Sequence, residues 1–256
     1  MTVLVEHADR IRLIRIDRPA HRNAVDRSTA EKLAHAFRDF DRDPEAHVAI
    51  LLGTGGTFCA GADLHAIASG TPNRLEVDGD APMGPSRLRL HKPVIALLQG
   101  HAVAGGLELA CWAHLRVMEE DATLGVFCRR WGVPLIDGGT ARLPRLIGES
   151  RAMDLILTGR PVDAREALDI GLVHRIAPPG EGRRVALELA AQLCRFPQTT
   201  LRTDLRSTQR ALDLPLDAAL RAEFLDAADA LGHDTRPGAE RFAAGAGRHG
   251  SFDNID

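Results

Sequence analysis

The stretch AVAGGLELAC, residues 102–111, carries one acid, Glu108, among Val103, Ala104, Leu107, Leu109, Ala110 and Cys111. A helix built from it has no polar face of its own, so the carboxyl group is predicted to be buried. Burial disfavours the charged form and raises the pKa, which makes a carboxyl group a usable general acid or base near neutral pH. Gly105 and Gly106 come just before it, at the expected helix start, where the first N–H groups lack intrahelical acceptors. A second turn of small residues, GTGGTFCAGADL at 53–64, also follows a predicted strand. The N–H groups of Ala60 and Gly105 in these turns are free of side-chain cover. Two such donors facing one point would form an oxyanion hole, and one donor of that kind is worth roughly 10²–10³ in rate. Plainer readings stand beside this one. Small residues also allow close helix–strand packing, and an acid in a first helical turn favours the helix dipole.

Other chemistries fail on spacing. A dinucleotide loop beginning at Gly53 and Gly55 would need glycine at 58, where Phe58 stands, and no G-x-x-x-x-G-K-[ST] occurs. The GES at 148–150 continues with Arg151 and Ala152, not x-Gly, which disfavours a serine hydrolase elbow. Cys59, Cys111, Cys128 and Cys194 are far apart, so neither a disulfide framework nor a zinc site is expected, and a cytoplasmic location is. Charges of both signs are mixed along the chain, with a net charge of −3 and no basic stripe for nucleic acid. No apolar run approaches the roughly 20 residues that span a bilayer. The charged, alternating start MTVLVEHADRIRLIRID reads as strands, not as a signal peptide.

The elements that must position these residues are legible as periodicity. Residues 2–6 and 10–17 read as strands around the turn HAD. Residues 28–42 read as a helix capped by Ser28, with Leu33, Ala36, Phe37 and Phe40 on its apolar face. Apolar runs at 47–53, 94–100 and 115–118 read as buried strands. Residues 69–90, dense in Gly and Pro, read as a mobile loop leading into a short helix. From about 150 helices follow one another, with one short strand at 172–176. Alternating strands and helices predict an α/β fold.

Five stretches together resemble the crotonase superfamily, the enoyl-CoA hydratase/isomerase family: RPAHRNAV (18–25), TFCAGADL (57–64), KPVIALLQGHAVAGGLELACWAHLRV (92–117), GVPLIDGGTARLPRLIG (132–148) and LTGRPVDAREALDIGLVHRI (157–176). The resemblance implies a spiral of β/α turns over 1–195 holding an acyl-CoA site. It implies a helical region over 196–256 that covers the site and builds homotrimers or hexamers. The substrate it implies is an acyl-CoA thioester, with no cofactor beyond the coenzyme A that the substrate carries. The thioester oxygen would be held by the N–H groups of Ala60 and Gly105, with Glu108 beside the acyl carbons. Ala60, Gly61, Ala62, Asp63 and Leu64 would line the coenzyme A site. Asp63 also suits the N-cap of LHAIA. Arg22 suits a coenzyme A phosphate or simple solvation.

Two positions decide the reaction. Hydratases of the family carry a second glutamate twenty residues after the first; here that position is Cys128. A thiol replaces a carboxyl poorly unless its pKa is tuned, and Arg129 and Arg130 are the nearest cations in sequence. Cys128 is therefore read first as a small pocket-lining residue. Asp137, three residues before Thr140, matches an acid that some isomerases of the family place there, and also suits a turn before Gly-Gly. Hydration of a trans-2-enoyl-CoA is the leading expectation. Double-bond isomerisation and low-turnover acyl-CoA binding are the alternatives.

Overall fold

The computed structural model describes residues 1–252. Strands β1 (Val3–Ala8), β2 (Ile11–Ile16) and β3 (Val48–Gly53) enclose helix α1 (Arg27–Arg42), and helix α2 (Leu64–Ala68) follows. Strands β4 (Val94–Leu98) and β5 (His101–Val103) lead into helix α3 (Gly105–Trp112), then β6 (Leu115–Glu119) and β7 (Thr123–Gly125). Helices α4 (Gly139–Ile147) and α5 (Glu149–Thr158), strand β8 (Pro161–Val162), helix α6 (Ala164–Asp169), strand β9 (Arg175–Ala177) and helix α7 (Gly182–Cys194) complete the α/β part. Helices α8 (Gln198–Ala211), α9 (Leu216–Ala230) and α10 (Arg236–Ala243) end the described chain, the last two joined by a π-helical segment at Leu231–Thr235.

The main sheet runs β1-β2-β3-β4-β6-β9, parallel apart from the β1–β2 hairpin. A smaller sheet, β5-β7-β8, stands beside it. Both faces of the main sheet are covered. Ile14, Leu51, Ala96 and Met118 face a core shared with α1 and α3. Leu13, Ile50, Ile95 and Val117, one residue out of phase, face Ala186 and Ala190 of α7. Two-sided burial is why β3 and β4 read as continuous apolar runs and not as alternating ones.

Several boundaries differ from expectation. The β1–β2 turn falls at Asp9 and Arg10, because β1 pairs on through Ala8 with Ile11. Asp26, not Ser28, caps α1: its carboxylate accepts from the Thr29 N–H at 2.8 Å, which makes Ser28 a helix residue. The expected strand at 172–176 begins at Arg175, and Leu172 and Val173 pack into the core instead. Residues 69–90 end in no α-helix but in one 3-10 turn, Pro85–Arg87. Ala81 through Ser86 are buried, and the Trp112 indole N–H holds the Leu88 carbonyl at 2.9 Å. That segment is therefore a wall built against α3.

In the helical region, α8 touches the core through Gln209 and His114, 2.8 Å apart, and Arg89 pairs with Asp213. Leu216, Leu220, Phe224, Leu225 and Phe242 are exposed. Residues 253–256, the end of the expected helical region, lie outside the described residues. Among the described residues no helix is long and apolar enough to cross a membrane.

Candidate active site

The two small-residue turns lie side by side. Phe58 and Cys59 donate to the carbonyls of Gln99 and His101, and Val103 donates back to Cys59, a short parallel pairing. Asn23, fully buried, clamps the first turn from beneath: its amide donates to the carbonyls of Thr54 and Thr57, while its Oδ1 accepts from the Arg18 N–H. That is the structural use of the asparagine in RPAHRNAV. Ala104 enters α3 at φ 54°, a conformation that costs a residue with a Cβ of order 1–3 kcal/mol. This bend carries the chain from β5 into the helix.

Close approach explains the glycine before Glu108. A Cβ on Gly106 would stand 2.1 Å from the Cys59 carbonyl oxygen, which belongs to paired backbone and cannot yield cheaply. Gly106→Ala is expected to cost about 3 kcal/mol through overpacking. Thermal unfolding against wild type checks it; an unchanged midpoint would mean that the two turns separate more readily than their pairing implies.

The main-chain donors are not quite those expected. The Ala60 N–H donates to the Arg22 carbonyl at 3.0 Å, so Ala60 is corrected as a free donor. Its partner strand also takes the Asp63 N–H, which bonds the Val25 carbonyl at 3.0 Å. Residues 60 and 63 can face the same strand only if the alternation breaks between them, and Gly61, at φ 98°, breaks it. That turn leaves the Ala62 N–H without an acceptor among the described residues. The Gly105 N–H, first in α3, is likewise unclaimed. The two turns meet here: a Cβ on Gly61 would lie 3.0 Å from the Gly105 nitrogen.

Beside these donors stand two buried carboxyl groups, Glu108 at 3% and Asp137 at 4% exposure. Glu108 Oε1 accepts from the N–H groups of Asp137 (2.9 Å) and Gly139 (2.8 Å). Burial outweighs those bonds, the Asp137 charge adds to it, and the Glu108 pKa is pushed up to about 7. Asp137 Oδ1 accepts from the Met83 N–H (2.9 Å) and the Ser86 hydroxyl (2.5 Å). Burial raises this carboxyl too, against the pull of those two donors. The second oxygen of each carboxyl makes no hydrogen bond, yet neither is enclosed. Both residues line one cavity of about 1060 Å³. Arg142 ties the arrangement together, donating to the carbonyls of Asp137 (2.9 Å) and Ser86 (2.7 Å).

The same cavity is lined by Arg22, Ala60, Ala62, Asp63, Leu64, Gly105 and Cys128. Gly61 does not line it and serves the turn instead. Asp63 caps α2, accepting from the His65 (3.0 Å) and Ala66 (3.3 Å) N–H groups, and pairs with Arg18 at 2.9 Å. Arg22 is exposed, and its guanidinium makes no hydrogen bond among the described residues. Burial raises the Cys128 thiol and the Glu108 charge raises it further, so the sulfur stays protonated. Arg130 stacks on the Phe127 ring, 4.6 Å from its centroid. Phe127, Trp131, Val133 and Ile136 give the cavity an apolar wall. The residues that sequence reasoning missed are Met83, Ser86 and Arg142. Ser86 meets Asp137 across 51 positions, and no local spacing signals such a contact. Among the described residues, no group of three or more His, Cys, Asp or Glu side chains could hold a metal ion.

The chain resembles known proteins over most of its length. The sequence profile described as "Enoyl-CoA hydratase/isomerase" matches residues 6–244. The chain is 35% identical over 227 residues to "Enoyl-CoA hydratase EchA19" of Mycobacterium tuberculosis (strain ATCC 25618 / H37Rv), covering 86% of this chain and 85% of that protein. It is 38% identical over 188 residues to the carnitinyl-CoA dehydratase of Salmonella typhi, covering 70% and 69% of the two chains. The crystal structure of enoyl-CoA hydratase EchA1 from Mycobacterium marinum superposes with a TM-score of 0.90 at 34% identity, covering 95% of this chain and 96% of that one.

Proposed function

The chain belongs to the enoyl-CoA hydratase/isomerase family, and from that premise we propose that it hydrates trans-2-enoyl-CoA thioesters at the Glu108–Asp137 cavity. One observation carries the reading: Ala62 and Gly105, whose N–H groups are unclaimed among the described residues, line the same cavity as the buried acid Glu108, one oxygen of which makes no hydrogen bond. The thioester oxygen accepts from both N–H groups, which draws electron density from C3. Glu108 takes a proton from water as the oxygen of that water bonds to C3. The electron pair of the double bond moves toward the thioester, and the resulting enolate is held by the two donors. Asp137 delivers a proton to C2, which closes the hydration. The two carboxyls finish with one proton gained and one lost, and solvent restores them.

Cys128 is a wall of this site, because a protonated, buried thiol handles no proton near neutral pH. Arg22 at the cavity mouth suits a coenzyme A phosphate. The reaction needs no electron or group carrier, since coenzyme A arrives as part of the substrate. The exposed apolar side chains of α9 and α10 suit a homotrimer or hexamer. Four free cysteines suit the cytoplasm.

A second reading is favoured by the same pair of acids: two carboxyls on one cavity can also move a proton between C4 and C2, isomerising a 3-enoyl-CoA. Absorbance of the conjugated thioester separates the readings. Loss of absorbance from crotonyl-CoA supports hydration. A gain from a 3-enoyl-CoA supports isomerisation. Binding of both thioesters with neither change would overturn the enzymatic reading and leave an acyl-CoA-binding protein.

A further inference from the structure

We propose that Ser86 is a positioning residue: together with the Met83 N–H, its hydroxyl occupies Oδ1 of Asp137 and commits the transferable proton to Oδ2. The inference rests on the role given above to Asp137. A carboxylate oxygen has two lone-pair sites, and both sites of Oδ1 are filled, by the Met83 N–H at 2.9 Å and the Ser86 O–H at 2.5 Å. Oδ2 has no partner and is not enclosed, so it is the oxygen left to carry a proton into the cavity. Without the hydroxyl, either oxygen could hold the proton, and only one of them faces the reacting carbons.

The side chain of Ser86 has no other task among the described residues. It is 1% exposed, and its hydroxyl makes this one hydrogen bond. Its main chain is held separately: the 3-10 turn begins at Pro85, and the Ser86 carbonyl accepts from Arg142 at 2.7 Å. The same guanidinium holds the Asp137 carbonyl at 2.9 Å, so the gap between residues 86 and 137 is set without the hydroxyl. Removing that hydroxyl therefore tests the hydrogen bond and leaves the tie in place. The charged and titratable groups acting on Asp137 are Glu108 of α3, Arg142 of α4, Arg87 of the 3-10 turn and the Cys59 thiol. The arginines favour its ionised form and Glu108 opposes it. The Ser86 bond adds to the arginines, so its loss raises the pH at which Asp137 gives up its proton.

The test is the pH dependence of kcat and KM for Ser86→Ala, Ser86→Thr and Asp137→Asn, with the Ser86→Ala/Asp137→Asn double variant. Ser86→Ala is expected to lower kcat about tenfold, because without the hydroxyl the proton is no longer confined to the oxygen that faces the cavity. KM should stay within about twofold, because the hydroxyl does not touch substrate. The pH limb that disappears in Asp137→Asn should move up by about one unit in Ser86→Ala and return in Ser86→Thr. Adding Ser86→Ala to Asp137→Asn should change nothing further, since the residue acts through the carboxyl. If Asp137→Asn is slow but the limb of Ser86→Ala does not move, this inference fails by itself. If Ser86→Ala slows the Asn variant as much as the wild type, its role is structural and the inference fails. If Asp137→Asn is as fast as wild type, the reading of Asp137 fails and takes this one with it.

Discussion

Glu108→Gln is expected to lower kcat by roughly 10²–10⁴-fold, the usual contribution of a positioned general base. Glutamine keeps an oxygen for the Asp137 and Gly139 N–H groups, so the local fold and thioester binding should survive. What is lost is the ability to take a proton. Because the pKa is pushed up to about 7, the base form prevails only above that pH. Wild-type activity should therefore rise through neutrality, with a limb that the glutamine variant lacks. Stability should respond in the opposite sense. The folded carboxyl, at about 7, keeps its proton over a range where the unfolded chain, at its ordinary 4.5, has released it. The stability linked to this group is fully present below 4.5, declines as pH rises, and is lost once pH passes about 7. The shift corresponds to a burden on the order of 3 kcal/mol in the alkaline range. Glu108→Gln should thus unfold at a higher temperature than wild type at pH 8 and show no such gain at pH 4. Unchanged kcat in the variant would remove Glu108 from the chemistry, whatever its effect on stability.

Asp137→Asn is expected to slow turnover about 10²-fold, the lower end for a group that donates or accepts the second proton. The exchange is close to isosteric. Asn Oδ1 still accepts from the Met83 N–H and the Ser86 hydroxyl, and the Asp137 main chain, which holds Glu108, is untouched. A loss of rate without loss of thermal stability would thus report proton handling. A variant as fast as wild type would reduce Asp137 to the turn that its Gly-Gly neighbours suggest. The matter bears on the reaction directly. With Cys128 held protonated by burial and by the Glu108 charge, Asp137 is, among the described residues, the buried acid that lines the cavity with Glu108 and keeps an oxygen without a hydrogen bond.

Much of this site was legible in the chain because it depends on local rules. An acid with apolar neighbours at every helical position has nowhere to point but inward, so burial of Glu108 and its raised pKa followed from eight consecutive residues of α3. Apolar runs bounded by glycine located the central strands for a similar reason, since a parallel strand covered on both faces needs no alternation. The capping role of Asp63 followed from an acid placed just before a helical stretch. At Cys128 the two arginines adjacent in sequence divide: Arg130 stacks on Phe127, and the pull of Arg129 on the thiol is outweighed by burial and by the Glu108 charge.

The rest required the chain to fold back on itself. Which N–H stays free in CAGAD depends on the Arg22–Val25 segment that pairs with it and on the left-handed turn at Gly61, so composition pointed to Ala60 while pairing leaves Ala62. Residues 69–90 lack periodicity because their hydrogen bonds are turns and side-chain ties, such as Asn73 to the Pro82 carbonyl and Arg87 to that of Glu76, and because Asp137, Arg142 and Trp112 hold them from outside. The sequence by itself therefore determined the residue types, the fold class and the burial of Glu108, all written in spacings of a few residues. Only the tertiary structure decided the direction of each donor and the partner of each carboxyl oxygen. A hydrogen bond is directional and here joins segments far apart in the chain, whereas the hydrophobic pattern that sequence records is neither.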